Sequence, residues 1–375
     1  MRIGIDISPL TPARTGVGNY CYYLLRHLIR VGADCEFAGF SSGRAPIKLG
    51  DLDRVLIHRH IPVPTRLLYA AWSALGAPKV DAVLGGVDVY HATNYFLPPT
   101  KSAARVVSFH DLAFLVTPEL SSPKIQRLFA KGVRRFAKEA DAVLTCSAST
   151  KADIVRMLEI APERVTVTPY AAGDHFAPMD PAEAQAYIAE HYGVPQPFLL
   201  FVGTLEPRKN IPTLLRAFAA IAHQVPHTLV LLGAAGWHAQ PIFDTIEELD
   251  LSQRVVHLGF VRSAHDLCVF YCAADVFVFP TLYEGFGLPI LEAMKCGCPV
   301  VTSNNSSIPE VAGDAALCHD ACDVEAIAGA IRNLIEDARL RESMVAKGFQ
   351  QANRFSWEAC ARTTLDVYRR VAKGR

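Results

Sequence analysis

The sequence predicts an α/β protein built from two doubly wound domains, and three observations carry that reading. The chain has 375 residues, enough for two cores of ordinary size. Short β-branched runs alternate with helical patterns along its whole length, which is the arrangement of βαβ units and parallel sheets. The alternation breaks once: Pro178, Pro181, Pro195 and Pro197 bracket a helical stretch from Ala182 to Tyr192, and a new series begins at Phe198.

The first series places strands at Arg2–Asp6, Phe37–Phe40, Val55–His58, Val87–Ala92, Arg105–Phe109, Ala142–Cys146 and Val165–Thr168. The second places them at Phe198–Val202, Thr228–Leu232, Arg254–Leu258, Val276–Phe279, Pro299–Thr302 and Ala315–Cys318. Helices at Val324–Asp337, Leu340–Asn353 and Ser356–Ala372 close the chain. The expected layout is a first domain over 1–176, a linker over 177–197, a second domain over 198–355 and a terminal helix over 356–375 that packs back on the first domain. Ligands of such sheets bind beyond the carboxyl ends of the strands, so two domains facing one another are expected to share a cleft.

Composition narrows the classes. Apolar residues at 51% and charged residues at 20% exclude a disordered tail protein. No apolar run approaches the roughly 18–20 residues that span a bilayer. Arg2–Asp6 reads as a strand rather than part of a secretory signal, so a cytoplasmic protein is expected. Ten cysteines suit that reducing compartment. His265, Cys268 and Cys272 form one grouping that invites a metal, and Cys318, His319 and Cys322 another. Neither has a CxxC pair, and core packing is the expectation for both.

Net charge is zero, yet residues 1–176 hold 21 basic and 15 acidic side chains while the remainder holds 16 and 22. The basic first half suggests an anionic partner. Lys124, Arg127, Lys131, Arg134, Arg135 and Lys138 recur at helical steps beside Ile125, Leu128, Phe129 and Phe136. Such a stripe suits either an anionic membrane surface or plain solvent. Nucleic acid is not among the expected partners.

Three segments carry chemistry. Thr15-Gly16-Val17-Gly18-Asn19-Tyr20 starts like a dinucleotide fingerprint, but Cys21 stands where the third glycine belongs, which counts against an NAD-type oxidoreductase. Glycines ahead of a helix still let amides approach an anion. Tyr283-Glu284-Gly285-Phe286-Gly287-Leu288-Pro289-Ile290-Leu291-Glu292 follows a hydrophobic strand and opens a helix, again a place for phosphate. A glutamate at that position repels phosphate, so Glu284 is expected to bond neutral hydroxyls. After the strand Phe198–Val202 comes Gly203-Thr204-Leu205-Glu206-Pro207-Arg208-Lys209-Asn210, where a planar fork and a point charge suit a diphosphate. Both cations are expected to be exposed.

Taken with Cys296-Gly297-Cys298-Pro299 and the stretch to Leu317, these segments resemble glycosyltransferase family 4, retaining enzymes of the GT-B fold with two Rossmann-like domains. The likeness covers essentially the whole chain, including Ser108-Phe109-His110-Asp111-Leu112 and Phe355-Ser356-Trp357-Glu358. It implies that Arg208 and Lys209 hold the diphosphate of a nucleotide sugar. It implies that Glu284 bonds the donor sugar, with Gly285, Phe286, Gly287 and Leu288 beside it, and that Glu292 grips the ribose. His110 matches a histidine facing the transferred sugar, and Gly16 and Gly18 match a loop over the diphosphate. His91, Asn94 and Asp111 are expected on the acceptor side, although His91 suits a structural role equally well.

The resemblance implies front-side attack, with the diphosphate taking the acceptor proton, and no metal. The one D-x-D, Asp51-Leu52-Asp53, precedes a strand where a metal-binding one would follow it. The GTLEPRKN form resembles bacterial mannosyltransferases of surface-polysaccharide synthesis. GDP-mannose is therefore the first expected donor, a UDP-sugar the alternative, and a glycan or lipid-linked saccharide the acceptor. A non-catalytic sugar-nucleotide binder is the remaining alternative.

Overall fold

Seven strands form one all-parallel sheet: β1 (Arg2–Asp6), β2 (Glu36–Ser42), β3 (Ile57–Ile61), β4 (Val89–Ala92), β5 (Ala104–Ser108), β6 (Ala142–Thr145) and β7 (Val165–Val167). Their order is β3-β2-β1-β4-β5-β6-β7. Six more form a second parallel sheet: β8 (Phe198–Val202), β9 (Thr228–Leu232), β10 (Val255–Gly259), β11 (Val276–Phe279), β12 (Val300–Ser303) and β13 (Leu317–His319). Their order is β10-β9-β8-β11-β12-β13. This computed structural model describes residues 1–11, 16–54 and 56–374.

The central strands are continuous apolar runs because helices cover both sheet faces. Val-Phe-Val-Phe of β11 and Val-Val-Thr-Ser of β12 are buried throughout. Strand order reverses between β1 and β4 in one sheet and between β8 and β11 in the other. Those reversals leave crevices at the strand carboxyl ends.

The chain divides into two compact units, one of Met1–Pro118, Pro123–Tyr170 and Ser356–Arg375, the other of Glu119–Ser122 and Ala171–Phe355. The terminal helix Trp357–Lys373 is part of the first unit, where it packs on helix Gly16–Val31 and Trp357 stacks on Tyr23 at 5.4 Å. The boundary therefore falls after Tyr170, not after 176. The expected linker over 177–197 is instead a packed part of the second unit. Asp180 caps helix Pro181–Tyr192, Pro181 sits at its first turn and Gly193 closes it with φ 64°. Tyr187 and Tyr192 donate to Asp266 at 3.1 and 2.5 Å. The prolines that suggested a linker are helix punctuation.

Smaller differences follow the same logic. β3 begins at Ile57 rather than 55, and Val55 lies outside the described residues. Gly16 and Gly18 fall within the first turn of helix Gly16–Val31 rather than in a loop, while Thr15 lies outside the described residues. Among the described residues no helix is long and apolar enough to cross a membrane.

Candidate donor-sugar site

The two loops that leave the second sheet at its reversal carry the expected charges. After β8 the chain forms a tight turn, Pro207–Lys209, and Asn210 follows in the left-handed region at φ 56°. Asparagine tolerates that geometry, and its amide ties the loop down by donating to the carbonyls of Pro280 at 3.1 Å and Ala321 at 2.6 Å. Leu282 N donates to the Arg208 carbonyl at 2.9 Å, joining this loop to the one after β11. Close approach of the β8 and β9 ends needs Gly233, where a Cβ would stand 1.9 Å from the Gly203 carbonyl oxygen.

These constraints bring Arg208, Lys209 and Glu284 into contact. Arg208 Nη1 lies 3.0 Å from Glu284 Oε1 and donates to the Tyr283 carbonyl at 2.7 Å, while Nη2 bonds Glu206 Oε1 at 2.8 Å. Lys209 Nζ bonds the same Glu284 Oε1, and Thr281 Oγ1 stands 3.1 Å from it. Lys209 and Glu284 are 8% and 9% exposed and Arg208 is half-buried, so the expectation of exposed cations is corrected for both. An ammonium held against a carboxylate packs into the wall of the loop, and its charge lies over the Phe279 ring at 4.8 Å. Burial favours the neutral acid at Glu284, but Arg208 and Lys209 outweigh it and hold its pKa down to about 2. Burial also lowers Lys209, against the pull of Glu284.

All three partners of the Glu284 carboxylate use Oε1. Among the described residues Oε2 has no hydrogen-bond partner, so it is left as an open acceptor. The carboxylate thus pairs with the cations as well as offering an acceptor, a role the sequence reading did not foresee. Gly287, at φ 106°, then opens helix Leu288–Lys295, and a Cβ there would meet Ile308 at 3.0 Å. Glu292 lies on that helix, 9% exposed, with Oε2 accepting from the buried Tyr271 hydroxyl at 3.0 Å. Burial raises its pKa to about 7.

The residues expected from the first unit have a different character. His91 is fully buried at the end of β4, with Nδ1 2.6 Å from the Tyr368 hydroxyl and Nε2 2.7 Å from Ser108 Oγ, which in turn meets Tyr20 OH at 2.7 Å. Desolvation, helped by His110, lowers its pKa to about 3. It is a structural residue, and its expected place on the acceptor side is corrected. His110 is half-buried; Nε2 faces the Thr93 carbonyl at 2.8 Å and so carries the proton, and Nδ1 accepts from Tyr170 OH at 2.6 Å. Burial lowers its pKa. Asp111 Oδ1 takes Tyr95 OH and the Ala113 amide, both at 3.1 Å. Asn94 is half-buried, and its Oδ1 has no partner among the described residues.

Asp51 lies in the turn Gly50–Arg54, 3.4 Å from Tyr22 OH, and the Asp53 side chain is outside the described residues. On helix Pro123–Glu139, Lys124, Arg127, Arg134, Arg135 and Lys138 are exposed, and the Lys131 and Leu128 side chains are outside the described residues. Arg134 and Lys138 pair with Glu159 at 3.0 and 4.0 Å, and Arg135 with Glu139 at 3.6 Å.

Several supporting residues went unassigned in the sequence. Glu206 holds Arg208, and Thr281 braces Glu284. Ser306 Oγ accepts the Glu284 amide at 3.0 Å, while Ser307 Oγ reaches the Glu284 and Phe286 carbonyls at 2.9 Å. The cluster of small polar residues after β12 was the available signal, since such residues at a strand's carboxyl end commonly bond loop backbone.

Residues 188–351 match the glycosyl transferases group 1 family and residues 14–171 match Glycosyltransferase Family 4. O-antigen chain mannosyltransferase B of Escherichia coli is 37% identical, over 98% of this chain and 100% of that protein. The serotype-specific mannosyltransferase WbdA of Escherichia coli is 31% identical over 70% of this chain, which spans 33% of that longer protein. Sucrose-phosphate synthase from Thermosynechococcus elongatus shares the fold, with a TM-score of 0.78 over 100% of both chains at 22% identity. The family matches and the mannosyltransferase relatives define a hexosyltransferase, and the fold is of GT-B architecture. The chain belongs to Glycosyltransferase Family 4.

Proposed function

We propose that the protein transfers mannose from GDP-mannose to a growing surface-polysaccharide chain, with retention at the anomeric carbon and without a metal ion. The observation that carries the donor chemistry is the meeting of Arg208 and Lys209 with Glu284 at the sheet reversal. The likeness to O-antigen chain mannosyltransferase B supports mannose and the polysaccharide acceptor.

With donor bound, the diphosphate oxygens compete with Glu284 Oε1 for the two cations. Fixed positive charge then stabilises the leaving oxygen as the glycosidic bond breaks and oxocarbenium character develops. Glu284 Oε2 accepts from the transferred sugar, and Glu292 accepts from the ribose hydroxyls. The acceptor proton passes to the departing diphosphate. His110 is assigned, on the resemblance, to the transferred sugar.

A nucleotide-sugar panel tests this, scored by thermal shift and by release of GDP or UDP. A ligand at 100 times its Kd stabilises by about 2.7 kcal/mol. GDP-mannose is expected to give the largest shift and GDP release with a mannan-type acceptor. A UDP-sugar in that place overturns the donor assignment, and binding without release in the presence of acceptor favours a non-catalytic binder. Turnover is expected to persist in EDTA; rescue of lost activity by Mn²⁺ or Mg²⁺ overturns the metal-free reading. The acceptor is proposed to be lipid-linked at the cytoplasmic membrane face, met by the basic helix Pro123–Glu139.

A further inference from the structure

The strongest unassigned group of reactive side chains lies away from the donor loops. Cys268 and Cys272 stand one turn apart on helix Ala264–Ala273, and Cys296 is the C-cap of helix Leu288–Lys295. The three sulfurs lie within 4.8 Å of one another, all buried, with Cys268 Sγ 3.7 Å from Cys296 Sγ. His265, grouped with the first two by sequence spacing, instead meets the Tyr187 ring edge-on at 5.9 Å. Among the described residues this is the one such cluster, so Cys318, His319 and Cys322 do not form another.

We propose that Cys268, Cys272 and Cys296 form a site for a thiophilic d¹⁰ cation, zinc(II) in the first instance. A Zn–S bond of about 2.3 Å places tetrahedral thiolates about 3.8 Å apart, close to the observed Cys268–Cys296 separation. The other sulfurs need to close by an ångström at most, within reach of χ1 adjustment on a helix face. Three sulfur ligands select zinc(II) or copper(I) over magnesium or manganese. Binding forms three metal–sulfur bonds and releases three thiol protons to solvent. The fourth position is left to water or to a group on the segment 171–180. That segment already reaches the cluster, because the Ala177 carbonyl lies 3.4 Å from both Cys268 Sγ and Cys272 Sγ.

The consequence bears on the ribose-binding glutamate. Tyr271 sits beside Cys272 and donates to Glu292, which lies one turn before Cys296. A cation shared by the two helices fixes both ends of that hydrogen bond. Cys298, two residues beyond Cys296, points elsewhere, with its thiol on the Ala274 carbonyl at 3.4 Å.

Cobalt(II) titration of the full-length protein, fully reduced with a phosphine and stripped of metal, tests the site. One equivalent is expected to produce thiolate-to-cobalt charge-transfer absorption that zinc(II) abolishes, with zinc(II) also raising Tm. Cys296→Ala is expected to lose the band and the Tm rise, while Cys298→Ala keeps both. Absence of the band in the wild type with its thiols titrating as free overturns the proposal, whatever the variants do. Undiminished cobalt absorption in a folded Cys268→Ala/Cys296→Ala variant overturns it equally.

Discussion

The two sheet reversals share a topology and differ in chemistry. At the β8–β11 reversal, two cations and two carboxylates, Arg208, Lys209, Glu206 and Glu284, are held against one another. At the β1–β4 reversal Tyr368, His91, Ser108 and Tyr20, all without formal charge, form a buried chain of hydrogen bonds. Charge concentrated beside an open carboxylate oxygen is arranged for a charged ligand. A closed neutral chain is arranged to hold strands and the terminal helix together. The same fold position therefore carries clustered charge in one unit, where the proposed function places the donor, and a closed structural network in the other.

The largest effect that tests this contrast comes from the cations. Lys209→Ala or Arg208→Ala should lower turnover by about 10²–10³, the scale of removing one oxyanion-type donor. The double variant should also destabilise the second unit by about 3–5 kcal/mol, because it leaves Glu284 buried without a counter-charge. Steady-state kinetics and urea unfolding measure the two effects, and full activity in the double variant would sink the assignment. Glu284→Gln should bind free nucleoside diphosphate more tightly while turning over more slowly, since it removes the carboxylate that competes for Lys209 and Arg208.

His91→Ala should behave in the opposite way. It strands the Tyr368 hydroxyl, at about 1–3 kcal/mol for an unsatisfied buried group, leaves Ser108 with Tyr20 alone, and should leave kcat intact below the lowered Tm. Loss of turnover at unchanged stability would return His91 to the acceptor side.

The two units should also respond to pH with opposite signs. The folded-state pKa of His91, about 3, lies below its ordinary 6.5, so its contribution is lost as pH falls below 6.5. For Glu292 the folded-state value, about 7, lies above the ordinary 4.5, so its contribution is full below 4.5 and is lost as pH rises through 7. On the proposed function Glu292 accepts from the ribose hydroxyls, and the ionised carboxylate is the stronger acceptor. Donor affinity should accordingly weaken up to tenfold for each unit below pH 7, about 1.4 kcal/mol. Calorimetric titration of the donor nucleotide from about pH 5.5 to about pH 8 checks this, and a flat profile would place Glu292 outside the ribose contact.

The smallest effect concerns the basic helix. Each well-placed cation contributes ~1 kcal/mol to binding of an anionic bilayer, screened by salt. Because Arg134, Arg135 and Lys138 already pair with carboxylates, Lys124→Glu/Arg127→Glu is the cleaner variant. Vesicle co-sedimentation at low salt should fall in that variant with donor binding unchanged. Equal pelleting by wild type and variant would make the stripe a solvated face.

Much of this was legible in the chain itself. Continuous apolar runs such as Phe198–Val202 and Val276–Phe279 set the strands, because a sheet covered on both faces tolerates little else. Local motifs marked Arg208, Lys209, Glu284 and Glu292, because glycines and charges at strand ends are local requirements of the loop. Which groups touch was decided only by the tertiary structure. Lys209 and Glu284 are 75 residues apart, and their pairing follows from strand order, not from spacing. His91 and Tyr368 are 277 apart, and no period in the sequence reports that the terminal helix covers β4. Burial, and with it the shifted pKa values of His91, Glu284 and Glu292, depends on what packs from elsewhere in the chain. Residue types and their local spacing belong to the sequence, while partnership and solvent access belong to the fold.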